Sequence, residues 1–322
     1  MVSFEENSSF TPQNITFKSD ILKKYQLIHA LAINIIPLIG TLIAIVVAIQ
    51  DSVALLDIEL LISFYILTMI GITVGYHRCF AHNTFKTNTA INVILIILGS
   101  MAAQGPLIYW VSNHRRHHQY SDRNGDPHSP YIKDGKSLNQ LQGLYHAQIG
   151  WTYSHEMTNT VLFAKDLIRD SIISKINKLY YLWVLLGLLI PPLLGLIITG
   201  TLKGAITAFL WGSCIRLFVS IHITNSINSI THLYGTRPFN TKEKSTNNIW
   251  LALPTLGEAW HNNHHAFPNS AKFGLFWWQL DLGYYCIRFL ELIGLAWNVK
   301  SPTQKMIEAK KINLANIILS KY

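Results

Sequence analysis

Histidines collect in three short stretches of this 322-residue chain: HRCFAH (His77, His82), HRRHH (His114, His117, His118) and HNNHH (His261, His264, His265). The last two put imidazoles at i, i+3 and i+4, positions that share one face of a helix. Neutral imidazole is the commonest metal-binding side chain, and three on one face repel one another when protonated. Two such faces in one chain favour a metal over solvated or pH-sensing histidines. His77 and His82 are five apart, about 140° around a straight α-helix, so they converge only if the helix ends or bends between them. A fourth stretch, NSINSITHLYG, holds Asn228 and His232 as i, i+4 neighbours. His232 offers a ninth imidazole, and Asn228 a weak or water-mediated ligand. Nine nitrogens exceed the needs of one ion; two ions would take four or five each and leave room for oxygen or water. That count suits iron at an open site better than closed tetrahedral zinc, and it leaves two four-coordinate zincs open.

Other chemistries lack their residues. HEMTN, starting at His155, misses the HExxH pattern because position 159 is Asn. Glu258-x-x-His261 is a single ExxH, whereas carboxylate-bridged di-iron bundles need two plus further glutamates. There is no GxSxG, Walker loop or GxGxxG. Cys79, Cys214 and Cys286 are odd in number and widely spaced, which points away from a disulfide framework and towards a reducing face.

What must hold these residues is a membrane scaffold. The chain is 50% hydrophobic and 13% charged, about half the charged share of a soluble domain. The net charge of +9 is scattered between apolar runs rather than gathered in a stripe, so no nucleic-acid partner is expected. A crossing needs about 20 apolar residues, and four spans are expected at about 29–50, 53–76, 180–199 and 205–224, with a kink expected at Pro191-Pro192 in the third. A fifth apolar stretch, about 89–110, is read as a re-entrant or interfacial segment. If it crossed, His114 and His77 would lie on opposite faces, and Gly99, Gln104, Gly105 and Pro106 suit a lipid-exposed helix poorly. Lys18, Lys23 and Lys24 precede the first span, and nearly all other basic residues follow the second and fourth. By the positive-inside rule both termini and every histidine cluster face the cytoplasm. The sequons at Asn7 and Asn14 then lie on the unglycosylated side. No secretory signal is expected in the polar first residues. Residues 1–322 read as one domain: a polar tail over 1–28, the spans, and a cytosolic cap over 111–179 and 225–322. The fold class expected is all-α integral membrane, four transmembrane helices with a cytosolic helical cap holding a histidine-rich dimetal site.

GYHRCFAHNTF, WVSNHRRHHQYSD…DPHSP, NSITHLYG and GEAWHNNHHAFP together resemble the membrane fatty acid desaturases, most of all the acyl-CoA (stearoyl-CoA, delta-9) group. The ending WWQLDLGYYCIRFLELIGLAWNVKSP is similar to that group's, and the resemblance runs from about residue 63 to 302. It implies a di-iron centre held by His77, His82, His114, His117, His118, His232, His261, His264 and His265, with Asn228 acting through water. It implies further that O2 and two external electrons introduce a cis double bond at C9–C10 of a saturated acyl chain, most readily an acyl-CoA. With no donor domain fused, the electrons come from a separate cytochrome b5-like or ferredoxin-like partner. Zinc can take the place of iron in an overexpressed sample.

Three departures concern substrate handling. Animal acyl-CoA enzymes carry Asn and Arg against CoA at the places of Gly105 and Ser112, Trp at the place of Asn225, and His at the place of Gln148. The acyl carrier is therefore CoA, a lipid or an acyl carrier protein. Rival readings are a related di-iron hydroxylase or sphingolipid desaturase, and a non-catalytic zinc-binding membrane protein or metal transporter. A transporter needs polar ligands inside the bilayer, whereas these clusters lie at or beyond span ends. The departures tilt the membrane towards the bacterial cytoplasmic one, with the endoplasmic reticulum as the eukaryotic counterpart.

Overall fold

The computed structural model describes residues 15–154 and 156–311; Asn7, Asn14, His155 and the closing LSKY lie outside them. The architecture is helical. The paired strands among the described residues are short: Thr16–Phe17 with Met157–Thr158, Lys86–Thr87 with Ala296–Trp297, and Ile132–Lys133 with Lys136–Ser137. Four helices are long and apolar enough to cross a membrane: Asp20–Gln50, Leu55–Ala81, Tyr180–Thr199 and Leu202–Leu233. Their outward faces are apolar, with Ile36, Ile43, Leu193 and Ile197 among the exposed residues, as lipid contact requires.

Three of the four bounds differ from expectation. The first helix starts at Asp20, because the Ser19 side chain accepts the Leu22 N–H as an N-cap. Residues 20–28, expected in a polar tail, are therefore helical, and Lys23 and Lys24 ride on the first turns. The second helix runs to Ala81 and the fourth to Leu233, past polar residues that lower their hydropathy without breaking them. The fourth is the inner helix, with half of its apolar window buried. The turns after the first and third spans meet, with Lys203 paired to Asp51.

The third helix continues through Pro191-Pro192 because its neighbour repairs it. Proline has no N–H, so Pro191 and Pro192 free the carbonyls of Gly187 and Leu188. Arg216 Nη2 donates to Gly187 O at 2.8 Å, and Ser213 Oγ donates to Leu188 O at 2.8 Å. Both donors sit on the fourth helix, Ser213 in its π-helical stretch Leu210–Ile215 and Arg216 immediately after it. Arg216 Nη1 also donates to Met101 O at 2.7 Å, an orphan carbonyl at a helix C-terminus. One fully buried guanidinium thus joins three segments, the kind of repair a lipid-embedded backbone requires.

The fifth apolar stretch folds as two helices, Thr89–Met101 and Leu107–Tyr120. Asn88 caps the first by accepting the Ile91 N–H. Its 13 residues span about 20 Å, short of the ~30 Å hydrocarbon core. The chain then reverses through Ala103 and Gly105, both at positive φ, into Pro106. Gly71 and Gly99 let this helix touch the second span, since a Cβ on Gly71 would lie 2.1 Å from Gly99 N.

Candidate metal centre

The π-helical register of Gly71–Ala81 answers the five-residue spacing of HRCFAH. Bonds from i to i+5 stack residues five apart, and the His82 N–H donates to His77 O at 3.1 Å. The two rings end with centroids 4.9 Å apart. Arg115 then docks the helix Leu107–Tyr120 onto this end, donating to Ala81 O at 2.9 Å and Phe80 O at 2.7 Å while pairing with Asp166. The two asparagines of HNNHH point away from the imidazoles and pin the short helix His261–Ala266. Asn262 Nδ2 donates to Phe239 O at 3.2 Å, and Asn263 Nδ2 to Phe273 O at 2.7 Å.

All nine imidazoles meet, in two groups. His77, His82, His114, His118 and His264 form one, and His117, His232, His261 and His265 the other, with the ligand atoms of each group within 4.8 Å of one another. Each HxxHH motif is split between them. On a helix i and i+4 point nearly alike, whereas i+3 and i+4 diverge by about 100°, so His117 parts from His114 and His118, and His264 from His261 and His265. The expected single stripe is in fact a straddle. Asn228 lines a small cavity with His114, His117 and His261. Cys79 stands apart, its Sγ directed at Asn92 Oδ1, 3.7 Å away.

The nitrogens suit a cation. Nε2···Nε2 separations are 2.8 Å for His82–His114, 2.9 Å for His264–His118, 3.0 Å for His232–His261 and 3.1 Å for His77–His264 and His265–His261. Two nitrogens ~2.1 Å from one ion lie about 3 Å apart at a right angle and about 3.4 Å apart at a tetrahedral one. These pairs are close enough to share an ion. His117 Nε2 is buried without a hydrogen-bond partner. Burial first, then neighbouring imidazoles, holds His114, His118, His261, His264 and His265 well below the ordinary imidazole value, so they present neutral lone pairs.

Sequence reasoning missed the carboxylates behind the rings. His117 Nδ1 donates to Asp126 Oδ1 at 3.0 Å and His232 Nδ1 to Asp122 Oδ2 at 3.0 Å; Glu243 lies 3.8 Å from His265 Nδ1. Glu258 takes His77 Nδ1 on one oxygen and Arg78 Nε on the other, at 3.0 Å. Arg78 is fully buried, pairs with Asp281 at 2.8 Å and lies over the Phe273 ring at 4.0 Å. Such partners fix the tautomer with Nε2 turned inward. Burial works to raise the Asp126 carboxyl, but the His117 ring overrides it and holds the group well below the carboxylate range. The signal available in the sequence was proximity: Asp122 and Asp126 follow the second motif within a few residues. We expect Glu258→Gln to lower metal affinity by about 10- to 100-fold with little change in folded yield, read as metal retained against a graded chelator. Full retention would remove Glu258 from this role.

A narrow cavity reaches the centre from the spans. Gln26 and Thr152 stand on its wall, His114 and Asn228 at its inner end. Gln104 Nε2 donates to Thr224 Oγ1 at 3.0 Å across it, and Trp110 stacks on His114 at 5.1 Å. A second small cavity sharing Trp110, Thr224 and Asn228 continues beneath His77 and His261, where Thr73 Oγ1 is buried without a partner. Of the departures noted above, Ser112 is buried and donates to Ile108 O, and the buried Gly105 donates its N–H to Tyr180 Oη. Gln148 clamps the fourth span, donating to His222 O at 3.0 Å.

The family model described as fatty acid desaturase matches residues 58–298. A hex-5-enoyl-[acyl-carrier protein] acetylenase of Moorena producens (strain JHB) is 51% identical over 94% of this chain and 95% of its own. The delta-9 acyl-lipid desaturase 2 of Arabidopsis thaliana is 36% identical over 75% of this chain and 74% of its own. The sn-1 stearoyl-lipid 9-desaturase of Anabaena variabilis is 35% identical over 76% of this chain and 84% of its own.

Proposed function

The chain belongs to the fatty acid desaturase family, and from that premise we propose that it is a di-iron, O2-dependent oxidase that desaturates a carrier-bound acyl chain. The observation that carries the reading is the meeting of two imidazole groups at the inner end of a cavity that opens among the spans. The ligands proposed are the nine imidazoles, with Asn228 acting through water. Iron bound there would supply the O2-activating redox chemistry.

The protein's own task is placement. The cavity holds one pair of neighbouring carbons near the imidazoles, and the Gln104–Thr224 bond and Trp110 fix its wall there. Burial of His77, His117, His232, His261 and His264 limits water at the site. Glu258, Asp126 and Asp122 hold His77, His117 and His232 with Nε2 inward. Removal of two hydrogens, with two external electrons and two protons, balances reduction of O2 to two waters.

For the carrier, the 51% identical relative's name specifies an acyl carrier protein. Gly105 and Ser112, both buried, offer CoA no solvent-side grip. Acyl carrier protein is thus our first reading, in place of the acyl-CoA expected from the sequence. Delta-9 desaturation of a long chain is the second, favoured by the names of the cyanobacterial and plant relatives. We propose a single domain, with the cap and termini on the cytoplasmic side by the distribution of Lys and Arg. The test is expression in a desaturase-deficient host beside His118→Ala, with double-bond localisation by gas chromatography, and purified protein offered hexenoyl and stearoyl chains on both carriers. We expect new unsaturation only with intact His118, and faster turnover on acyl carrier protein. A hydroxylated product would replace the reaction, and equal rates on both carriers would remove the carrier assignment.

A further inference from the structure

Part of the segment after the fourth span sits deeper than the cap to which it was expected to belong. Tyr65 lies in the second span, Leu55–Ala81, and its Oη donates to Pro254 O at 2.6 Å. The Asp51–Lys203 pair marks the far end of that span. Tyr65 stands ten residues past Leu55, a rise of about 15 Å, or about half of a ~30 Å hydrocarbon core. Helical side chains lean towards their N-terminus, here the far side. The hydroxyl therefore meets Pro254 about 10 Å or more below the boundary of the core on the histidine side. The stretch 249–260 that carries Pro254 is joined to the stretch 275–284. Gly283 N–H donates to Leu256 O at 2.8 Å, and Trp260 Nε1 to Leu280 O at 2.8 Å.

Both stretches present the surface that lipid tails require. The exposed residues are Ile249, Trp250 and Leu253 in the first and Trp277, Trp278 and Leu280 in the second. Trp250 and Trp277 are 86% and 96% exposed, so two large apolar rings would stand in water if the segment lay clear of the bilayer. Neither stretch contains Lys or Arg, and their two acids, Glu258 and Asp281, are buried against Arg78. The backbone is closed as well. Leu251 O accepts from Thr255 Oγ1 at 2.6 Å, Ala252 O from Gly257 N–H at 2.8 Å, Leu253 O from Leu256 N–H at 3.1 Å, and Pro254 O from Tyr65. A loop in water has no need of such pairing, whereas a segment among lipid tails does.

We propose that 249–260 and 275–284 form a seat inserted into the bilayer leaflet on the histidine side, with lipid tails as its partner. The seat continues the lipid-facing surface of the second span. It offers no charge for a soluble protein to read, and its exposed tryptophans are the residue type enriched where a bilayer meets water. An apolar face of this kind buries itself in the leaflet without crossing it. The same segment carries Glu258 to His77 and Arg78, so the seat is built beside the imidazoles. The inference rests on the spans and holds whatever reaction the chain performs.

The test uses the full chain in lipid nanodiscs. Trp250→Cys and Trp277→Cys are each labelled with a nitroxide, and the unsubstituted chain is labelled alongside to subtract signal from Cys79, Cys214 and Cys286. Lys136→Cys, at an exposed position of the short strand Lys136–Ser137, is the reference for water. Power-saturation electron paramagnetic resonance reads collisions with O2, which concentrates among lipid tails, and with a nickel chelate, which stays in water. We expect the labels at positions 250 and 277 to meet O2 several-fold more often than the chelate, and the label at position 136 to show the reverse. The two seat positions are read separately, so a failure of one variant to fold leaves the other to decide. Free access of the chelate to position 250 or 277 would overturn the proposal by placing that stretch in water. Exclusion of both reagents would overturn it too, and spin–spin broadening in that case would give the surface to a second copy of the chain.

Discussion

His264→Ala is expected to abolish desaturation and to strip metal from one group of nitrogens while leaving a folded protein. His264 Nε2 lies 3.1 Å from His77 Nε2 and 2.9 Å from His118 Nε2, which makes it the hub of the five-membered group. Its ring also packs on Phe273, with centroids 4.4 Å apart. Alanine removes a nitrogen from the centre of the set and leaves a void against that ring. The loss in turnover should exceed the ~100-fold that altering an outer hydrogen-bond partner brings, so Glu258→Gln serves as the milder reference. Elemental analysis should find the metal content per chain roughly halved, because the second group keeps its four imidazoles. Parent-level metal and product in this variant would refute the proposed ligand set.

Arg216→Met is expected to cost the spans a large part of their stability. The guanidinium is fully buried with no carboxylate partner among the described residues, so its removal relieves some desolvation. Against that stand three carbonyls, Met101 O, Gly187 O and Gly212 O, that lose their donor. Each bare carbonyl costs about 1–3 kcal/mol, and at membrane depth no water replaces the lost bond. Gly212 O sits inside a continuing helix, so Met101 O and Gly187 O dominate, and the expected net loss is about 3 kcal/mol. The mechanism carries its own control. Pro191→Ala restores an N–H to Gly187 O, so it should recover about half the loss in the Arg216→Met background while doing little alone. Thermal unfolding in detergent measures all four proteins. If Pro191→Ala gives no recovery, the carbonyl account of Arg216 fails.

Much of this was legible along the chain, for reasons that can be stated residue by residue. Spans report themselves through hydropathy, so the third was placed at Tyr180–Thr199 as found. The first was begun late because Lys23 and Lys24 dilute the signal, and the fourth was ended early because Asn225, Ser226, Asn228 and Ser229 do the same. A buried polar face is invisible to a hydropathy average. Arg216 lies unmarked inside the expected fourth span and Arg78 reads as a loop-type charge, yet the first repairs a proline break and the second holds Glu258. Glu258 itself stands 181 residues from His77, a distance over which no periodicity carries information.

The sequence by itself determined the residue types and their local directions: nine imidazoles, an asparagine one turn before His232, and four apolar helices to carry them. It did so because side-chain chemistry and helical period are local properties. Only the tertiary structure decided how those imidazoles divide between two groups, which carboxylate backs which ring, and that the cluster opens among the spans. Those outcomes depend on the π register that turns His82 onto His77, on the docking of Arg115 against the carbonyls of Phe80 and Ala81, and on the reversal at Ala103–Pro106 that returns His114 to the same end. Each is a contact between segments far apart in the chain, set by close packing and by the need to satisfy buried backbone groups, and a linear pattern does not encode it.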